Sequence, residues 1–219
     1  MYYTIRVEVC GNYALFSRPE MKVERVSYDV MTPSAARGVL EAIYWHPGFR
    51  YEIDKIFVLK KIKFANIRRN EVTQKISVQN VKSFMKNPND NIYIATSENR
   101  TQRAAMVLKD VRYVIEAHIM LEKPENNAEM LGKFYAIFQR RVESGQCYHM
   151  PYFGTREFPA NFKPYNSLAI KTAYSNDTKD LGFMLYDMDY SDSENICPTF
   201  FRAIMKNGVI DVANVEVFR

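Results

Sequence analysis

From Thr4 to Val9 polar and apolar positions alternate, with Ile5, Val7 and Val9 on one side. That period of two predicts a half-buried strand, and Gly11-Asn12 is placed to turn the chain after it. Thr32-Pro33 starts a helix, with a hydroxyl to cap it and a proline at its first position. Ala36, Val39, Leu40 and Ile43 follow at helical spacing as a core stripe, Arg37, Glu41 and Tyr44 form a second stripe, and His46-Pro47-Gly48 stops the helix. A strand is expected around Ile56 to Phe64, rich in β-branched and aromatic residues yet carrying Lys60, Lys61 and Lys63. Asn70 to Arg100 is polar, includes Asn-Pro-Asn-Asp-Asn, and reads as an insertion or mobile loop.

The clearest alternation runs from Val111 to Leu121. Tyr113, Ile115, Ala117, Ile119 and Leu121 share the face expected in the core, and Arg112, Val114, Glu116, His118 and Met120 the partly exposed one. A second helix is predicted from about Ala128 to Ser144, with Leu131, Phe134, Phe138 and Val142 as its apolar stripe, Asn126 or Asn127 as its cap and Gly145 at its end. Three strands are expected in the tail, over Phe183 to Tyr190, Thr199 to Met205 and Val209 to Phe218, the last two joined by the hairpin dipeptide Asn207-Gly208. The order strand, helix, strand, strand, helix is that of a ferredoxin-like (RRM-like) body less its last strand. The expected fold is therefore α+β: a ferredoxin-like body over residues 1–162, with a basic insertion near 70–100, and an appended C-terminal antiparallel β-sheet over 163–219.

Charge adds direction to this outline. The 219 residues carry a formal net charge of +5, but its distribution is uneven. Between Lys55 and Arg112 there are eight Lys and five Arg against four acids, a net of +9, whereas Asp177 to Asn195 holds six acids and one Lys, a net of −5. Like charge concentrated in this way favours a polyanion as partner for the middle of the chain. Fifteen Tyr and 14 Phe supply rings suited to stacking on bases as well as to core packing. No apolar run approaches the ~18–20 residues of a membrane span. The opening residues alternate like a strand and not like a signal peptide, and three widely spaced cysteines fit the reducing cytoplasm. With three His at unrelated spacings, and Cys spacing unlike that of metal sites, neither a zinc site nor any other cofactor is expected.

The candidate chemistry is acid–base. Tyr44 stands at the end of the first helix outside its core stripe, and His118 lies on the polar face of the clearest strand beside Arg112. A base and an acid of this kind suit RNA cleavage without metal, in which a ribose 2′-OH is deprotonated, attacks the adjacent phosphate, and the departing 5′-oxygen is protonated. Lys or Arg nearby would stabilise charge on the phosphate. Phe153 to Pro159, FGTREFP, puts a glycine beside Arg156 between aromatics, a loop through which backbone can approach a phosphate.

Several segments taken together, EVCGNYALFSRPEMKVERVSYDVMTPSAARGVLEAIYWHP, IRRNEV, TQRAAMVLKDVRYVIEAHI and YFGTREFPANF, resemble the Cas-five family of CRISPR-associated proteins, in the d subtype (also called c) of type I-C systems. The resemblance runs in order from the start of the chain to about Phe162. It implies a ferredoxin-like body of the repeat-associated mysterious protein superfamily with a C-terminal β extension. It also implies an endoribonuclease that cuts precursor CRISPR RNA within each repeat without metal, then keeps the 5′ handle of the guide RNA as a subunit of the interference complex. The family's catalytic tyrosine maps to Tyr44 and its strand histidine to His118. The lysine described beside that histidine is missing, since the neighbours are Glu116 and Ala117, and the nearest upstream lysine is Lys109. RNA contacts are expected from Arg68, Arg69, Arg103, Lys109, Arg112 and Arg156, with Arg112 as the source of positive charge near the cut. The competing expectation is a non-catalytic structural subunit that binds guide RNA or duplex DNA and its protein neighbours.

Overall fold

The computed structural model describes residues 3–21, 23–87, 92–121, 128–167, 169–192 and 194–219. Strand β1 (Thr4–Ala14) buries Ile5, Val7 and Val9 as the alternation requires. After a two-residue strand, β2 (Arg25–Val26), helix α1 (Pro33–Ile43) begins where the sequence places it: the Thr32 hydroxyl accepts from the Ala35 N–H at 3.2 Å. Its far end has no basic residue of its own in the last turn. Arg141, from a later helix, fills that role by donating to the Ile43 carbonyl at 2.8 Å.

Strand β3 (Phe49–Val58) begins and ends earlier than expected, because Phe49, Tyr51 and Ile53 alternate straight out of the Pro-Gly stop. Lys60, Lys61 and Lys63 consequently lie in the connection to β4 (Phe64–Val72) rather than within a strand. The polar stretch read as an insertion or mobile loop holds the end of β4 and a helix, α2 (Val78–Lys86), capped by the Ser77 hydroxyl and without a buried residue. Pro88 to Asn91 fall outside the described residues, as do Asn126 and Asn127, the expected caps of the next helix.

Strand β5 (Arg100–Leu121) is 22 residues long, twice its expected length. Its first half pairs with β2 and β4 and its second half with β1 and β3. The first half escapes notice in the sequence because its apolar residues, Ala104 to Leu108, run without alternation, although Ala105, Val107 and Leu108 are buried. β1 continues past Asp110 to Leu108, but on the other edge β4 ends opposite Leu108 and β3 begins opposite Tyr113, and Asp110 between them has a φ of 56°, in the left-handed region. Helix α3 (Ala128–Ser144) ends on Gly145 at φ 66°, with the Gln146 N–H reaching the Arg141 carbonyl and the Gly145 N–H the Val142 carbonyl. The chain continues through β6 (Asn161–Pro164), β7 (Thr178–Asp189), β8 (Cys197–Lys206) and β9 (Val209–Asp211). Asn207 and Gly208, both at positive φ, make the tight turn between the last two.

The sheet order is β6-β1-β5-β3-β9-β8-β7. The C-terminal strands therefore do not form a sheet of their own; β9 docks on β3 and makes them continuous with the rest. Val209 to Phe218 is strand only as far as Asp211, Phe218 returning as an isolated bridge to Phe200. Helices α1 and α3 cover one face, where Phe134 packs on Phe49 and Phe138 on Tyr51. Burial of each such ring contributes roughly 1.5–3 kcal/mol. The far end of the sheet reaches back to α1, where the Arg37 guanidinium holds Asp187 of β7 through two 2.8 Å hydrogen bonds. The other face of β1, β5 and β3 carries charge.

Candidate active site

That charged face is built by strand alternation. Arg6 and Glu8 on β1, Arg112, Glu116 and His118 on β5, and Arg50 and Glu52 on β3 all point away from the helices, because their neighbours in sequence fill the core. Arg6 Nε donates to Glu116 at 2.7 Å, and Arg112 Nε donates to Glu8 at 2.7 Å, with Lys163 of β6 3.4 Å from the same carboxylate. Glu8 and Glu116 are buried beneath the long cations that pair with them.

At Asp54 the pairing of β3 with β5 slips by one residue, between Ile53 opposite Ala117 and Lys55 opposite Glu116. This is a β-bulge, and it puts Asp54 and Lys55 in succession on the open side. The Asp54 carbonyl accepts from the Val212 and Ala213 N–H groups, which fixes the bulge from the C-terminal chain. Its carboxylate lies 2.9 and 3.1 Å from His118 Nδ1. A carboxylate only accepts, so this contact makes Nδ1 a donor, and the other ring nitrogen is Nε2. On that side Glu52 is 3.5 Å from Nε2 and in turn accepts from Arg50 at 2.7 Å. Arg50, Glu52, His118 and Asp54 thus form one connected polar row. Sequence reasoning missed Arg50, Glu52 and Asp54. Their signal was available as charged residues at every second position between buried Tyr51 and Ile53, on the strand that pairs with His118.

Tyr44 is placed elsewhere. It caps α1, is 8% exposed, and stacks at a tilt on Phe49 with the Arg141 guanidinium 4.9 Å above its ring. The Tyr51 hydroxyl donates to its carbonyl at 2.7 Å. Tyr51 sits opposite Ile119 on the helical face, and His118 is on the other, so the sheet separates Tyr44 from His118. Burial pushes the Tyr44 phenol up, with Arg141 opposing, so it stays protonated at neutral pH.

The cations expected to touch RNA also divide. Arg69 and Arg103 are cross-strand partners on one face of the β4–β5 arm, and Arg68 is on the other. Arg69 is tied to Glu157 and Arg112 to Glu8, whereas Arg68, Arg103, Lys109 and Arg156 have no ion-pair partner among the described residues. Arg112 is six residues from His118 along an uninterrupted strand, about 20 Å away. It does not supply charge at that ring. The turn of the backbone at Asp110 re-aims the arm but leaves Lys109 roughly 25 Å from His118, since residues 111–118 stay extended. Gly154 meets this chain rather than a phosphate: at φ 79°, a Cβ there would lie 2.0 Å from the Leu15 carbonyl oxygen.

A largely antiparallel sheet in an α+β fold that carries a basic arm, and a histidine held by a carboxylate on its open face, defines a protein equipped to handle nucleic acid. The chain belongs to the Cas5d family of CRISPR-associated proteins, whose family model, described as CRISPR-associated protein (Cas_Cas5), matches residues 4–213. It is 48% identical over 217 residues to a protein of Mannheimia succiniciproducens named CRISPR pre-crRNA endoribonuclease Cas5d, covering 95% of this chain and 94% of the relative. A protein of the same name from Thermus thermophilus is 39% identical over 225 residues, covering 95% and 90%. A solved structure described as a CRISPR-associated protein superposes with a TM-score of 0.70 at 23% identity, covering 99% of this chain and 97% of that one, which shows the shared fold. No helix among the described residues is long and apolar enough to cross a membrane.

Proposed function

We propose that this chain is an endoribonuclease that cuts precursor CRISPR RNA within its repeats and keeps the 5′ handle of the guide RNA as a subunit of a type I-C interference complex in the cytoplasm. The relatives at 48% and 39% identity, both named pre-crRNA endoribonucleases, support the substrate class. The observation that carries the chemistry is the Asp54–His118 contact at 2.9 Å.

In this reading His118 Nε2 takes the proton of a ribose 2′-OH. O2′ attacks the neighbouring phosphorus and the P–O5′ bond breaks; the products are a 2′,3′-cyclic phosphate and a 5′-hydroxyl, whose proton comes from water, and His118 then returns its proton to solvent. Asp54 positions the ring and fixes its tautomer without touching the RNA. Arg50, exposed and one carboxylate away from Nε2, supplies the positive charge that the family's missing lysine would bring. We assign Tyr44 to holding the end of α1 rather than to proton transfer, because it is buried on the other side of the sheet. The exposed cations Arg68, Arg103, Lys109 and Arg156 guide the RNA backbone, and the paired Arg69 and Arg112 contribute chiefly to structure.

The body is ferredoxin-like in this proposal. The order β6-β1-β5-β3, with α1 and α3 on one face, supports that reading, and β6 takes the place of the last strand. Residues 1–162 then act as the RNA-binding and catalytic body, closed by β6, and 163–219 as the β extension.

The test is incubation of the purified protein with its own repeat RNA in excess chelator. Cutting is expected with ribose at the cleavage site and absent with 2′-deoxyribose. Undiminished cutting of the deoxy substrate refutes 2′-OH attack. RNA that is bound and never cut favours a structural subunit holding guide RNA or duplex DNA.

A further inference from the structure

Between α3 and β6 the chain exposes three large side chains in a row, Tyr148 at 83%, His149, and Met150 at 55%. Such exposure is costly in water unless the rings have a task. The segment is not loose. The Tyr148 and His149 N–H groups both reach the Ala42 carbonyl on α1, Pro151 is buried, and the Ala160 N–H donates to the Pro151 carbonyl at 2.8 Å. Tyr152 bridges to Pro159, and Phe153 is sunk in the core. Tyr148, His149, Met150, Tyr152 and Arg156 line an open cleft of about 570 Å³, with prolines 151 and 159 as its remaining walls. The rings run in series: Tyr148 meets His149 edge-on at 5.8 Å, and His149 tilts toward Tyr152 at 6.4 Å.

We propose that this cleft is a stacking site for an unpaired base of single-stranded RNA, with Arg156 on the adjoining phosphate. The proposal rests on the reading of this chain as an RNA-handling protein. Among the described residues no carboxylate lines the cleft, while Arg156 and His149 do. Glu157, next in sequence, is engaged by Arg69, so Arg156 keeps its charge for an incoming anion. Rings held by an anchored backbone present their faces with little ordering cost, and a cation at the rim suits a phosphate rather than an apolar peptide. The size matches the general range of ligand clefts, roughly 300–1,000 Å³.

The test is equilibrium binding of a twelve-nucleotide oligoadenylate RNA, with one adenine replaced by 2-aminopurine, to the full chain over a range of salt. Stacking by one ring is worth about 1–3 kcal/mol, so Tyr148→Ala is expected to weaken binding roughly 5- to 150-fold. It should also relieve quenching of the 2-aminopurine and leave the slope of log K against log salt unchanged. Tyr148→Phe restores both affinity and quenching. Arg156→Ala flattens that slope by about 0.7 and keeps the quenching. Wild-type affinity and quenching in Tyr148→Ala overturn the proposal and give the cleft to some other occupant, such as a protein surface. The cleavage rate of His118→Ala on repeat RNA is read separately. If that variant cuts normally the cleavage reading falls with the stacking site intact, and if only the Tyr148 result fails the stacking site falls alone.

Discussion

Replacing Asp54 by Asn is the sharpest test of how the open face works. The change keeps the size of the side chain and removes its charge. In the structure the carboxylate lies 2.9 Å from His118 Nδ1 and requires that nitrogen to be the donor. An amide imposes no such rule, because its NH₂ can turn toward the ring, place the lone pair on Nδ1 and move the proton to Nε2, where the base is needed. The histidine then remains in place with the wrong nitrogen available. Where a carboxylate orients a basic histidine, the change to an amide leaves the geometry intact and costs up to about 10⁴-fold through the wrong tautomer, and each factor of ten is about 1.4 kcal/mol of barrier. Asp54→Asn is therefore expected to slow single-turnover cutting of repeat RNA about as much as His118→Ala, by ~10²–10⁴-fold. RNA affinity should be unchanged in both, since neither side chain is a phosphate contact. The ¹⁵N spectrum of the His118 ring should report the change of protonated nitrogen. A normal rate in Asp54→Asn, with His118→Ala inactive, would show that the backbone alone orients the ring and would refute the role given to the carboxylate.

Three further expectations follow from the same geometry. Tyr44→Phe keeps the ring over Phe49 and under Arg141, so the cutting rate should stay within about threefold; a loss matching that of His118→Ala, within the range of general acid–base catalysis, would place both residues on one phosphate. Burial raises the phenols of Tyr51 and Tyr113 above their ordinary value of 10.0, so the unfolded chain ionises first. Their contribution to stability is complete below pH 10 and is lost as pH rises above it; chemical denaturation between pH 8 and 11 should show a falling midpoint, and a flat profile contradicts the burial of these groups. Gly154→Ala combines strain at φ 79° with a Cβ 2.0 Å from the Leu15 carbonyl oxygen. It is expected to destabilise the fold by about 2–5 kcal/mol, read as a lower Tm, and wild-type Tm would mean that the loop can leave β1 without loss.

What was legible in the sequence and what was not divides along physical lines. Thr32-Pro33, the stripe from Ala36 to Ile43, the helix ended by Gly145 and the Asn207-Gly208 turn all depend on near neighbours, and each stands where local chemistry places it. The first half of β5 was hidden because Ala104 to Leu108 is a continuous apolar run with no alternation to mark a strand. The join of β9 to β3 was hidden because nothing local announces a partner some 150 residues away. The candidate site shows the same division. His118 could be assigned to the open face from alternation alone, and so could Asp54; what Ile53-Asp54-Lys55 does not show is the one-residue slip in strand register that sets Asp54 beside His118. The separation of Tyr44 from His118 was implicit in the sequence, since Tyr44 belongs to the helix that covers the core face of the strand carrying His118.

The joining of β9 to β3 also has a history within each molecule. Phe57 pairs with Val209, 152 residues later. At about 5–20 residues per second of synthesis, the inner edge of β3 waits roughly 8–30 s for the strand that covers it. During that interval the amides of Lys55 to Phe57 are open to any extended segment, including the β9 of a neighbouring nascent chain. Asp211 lies opposite Lys55 in the finished sheet, and the backbone bonds from Val212 and Ala213 to Asp54 lock the strand once it arrives. The last step of assembly on this edge is thus the step that fixes Asp54, and a chain released before residue 213 has its sheet without the means to set its histidine.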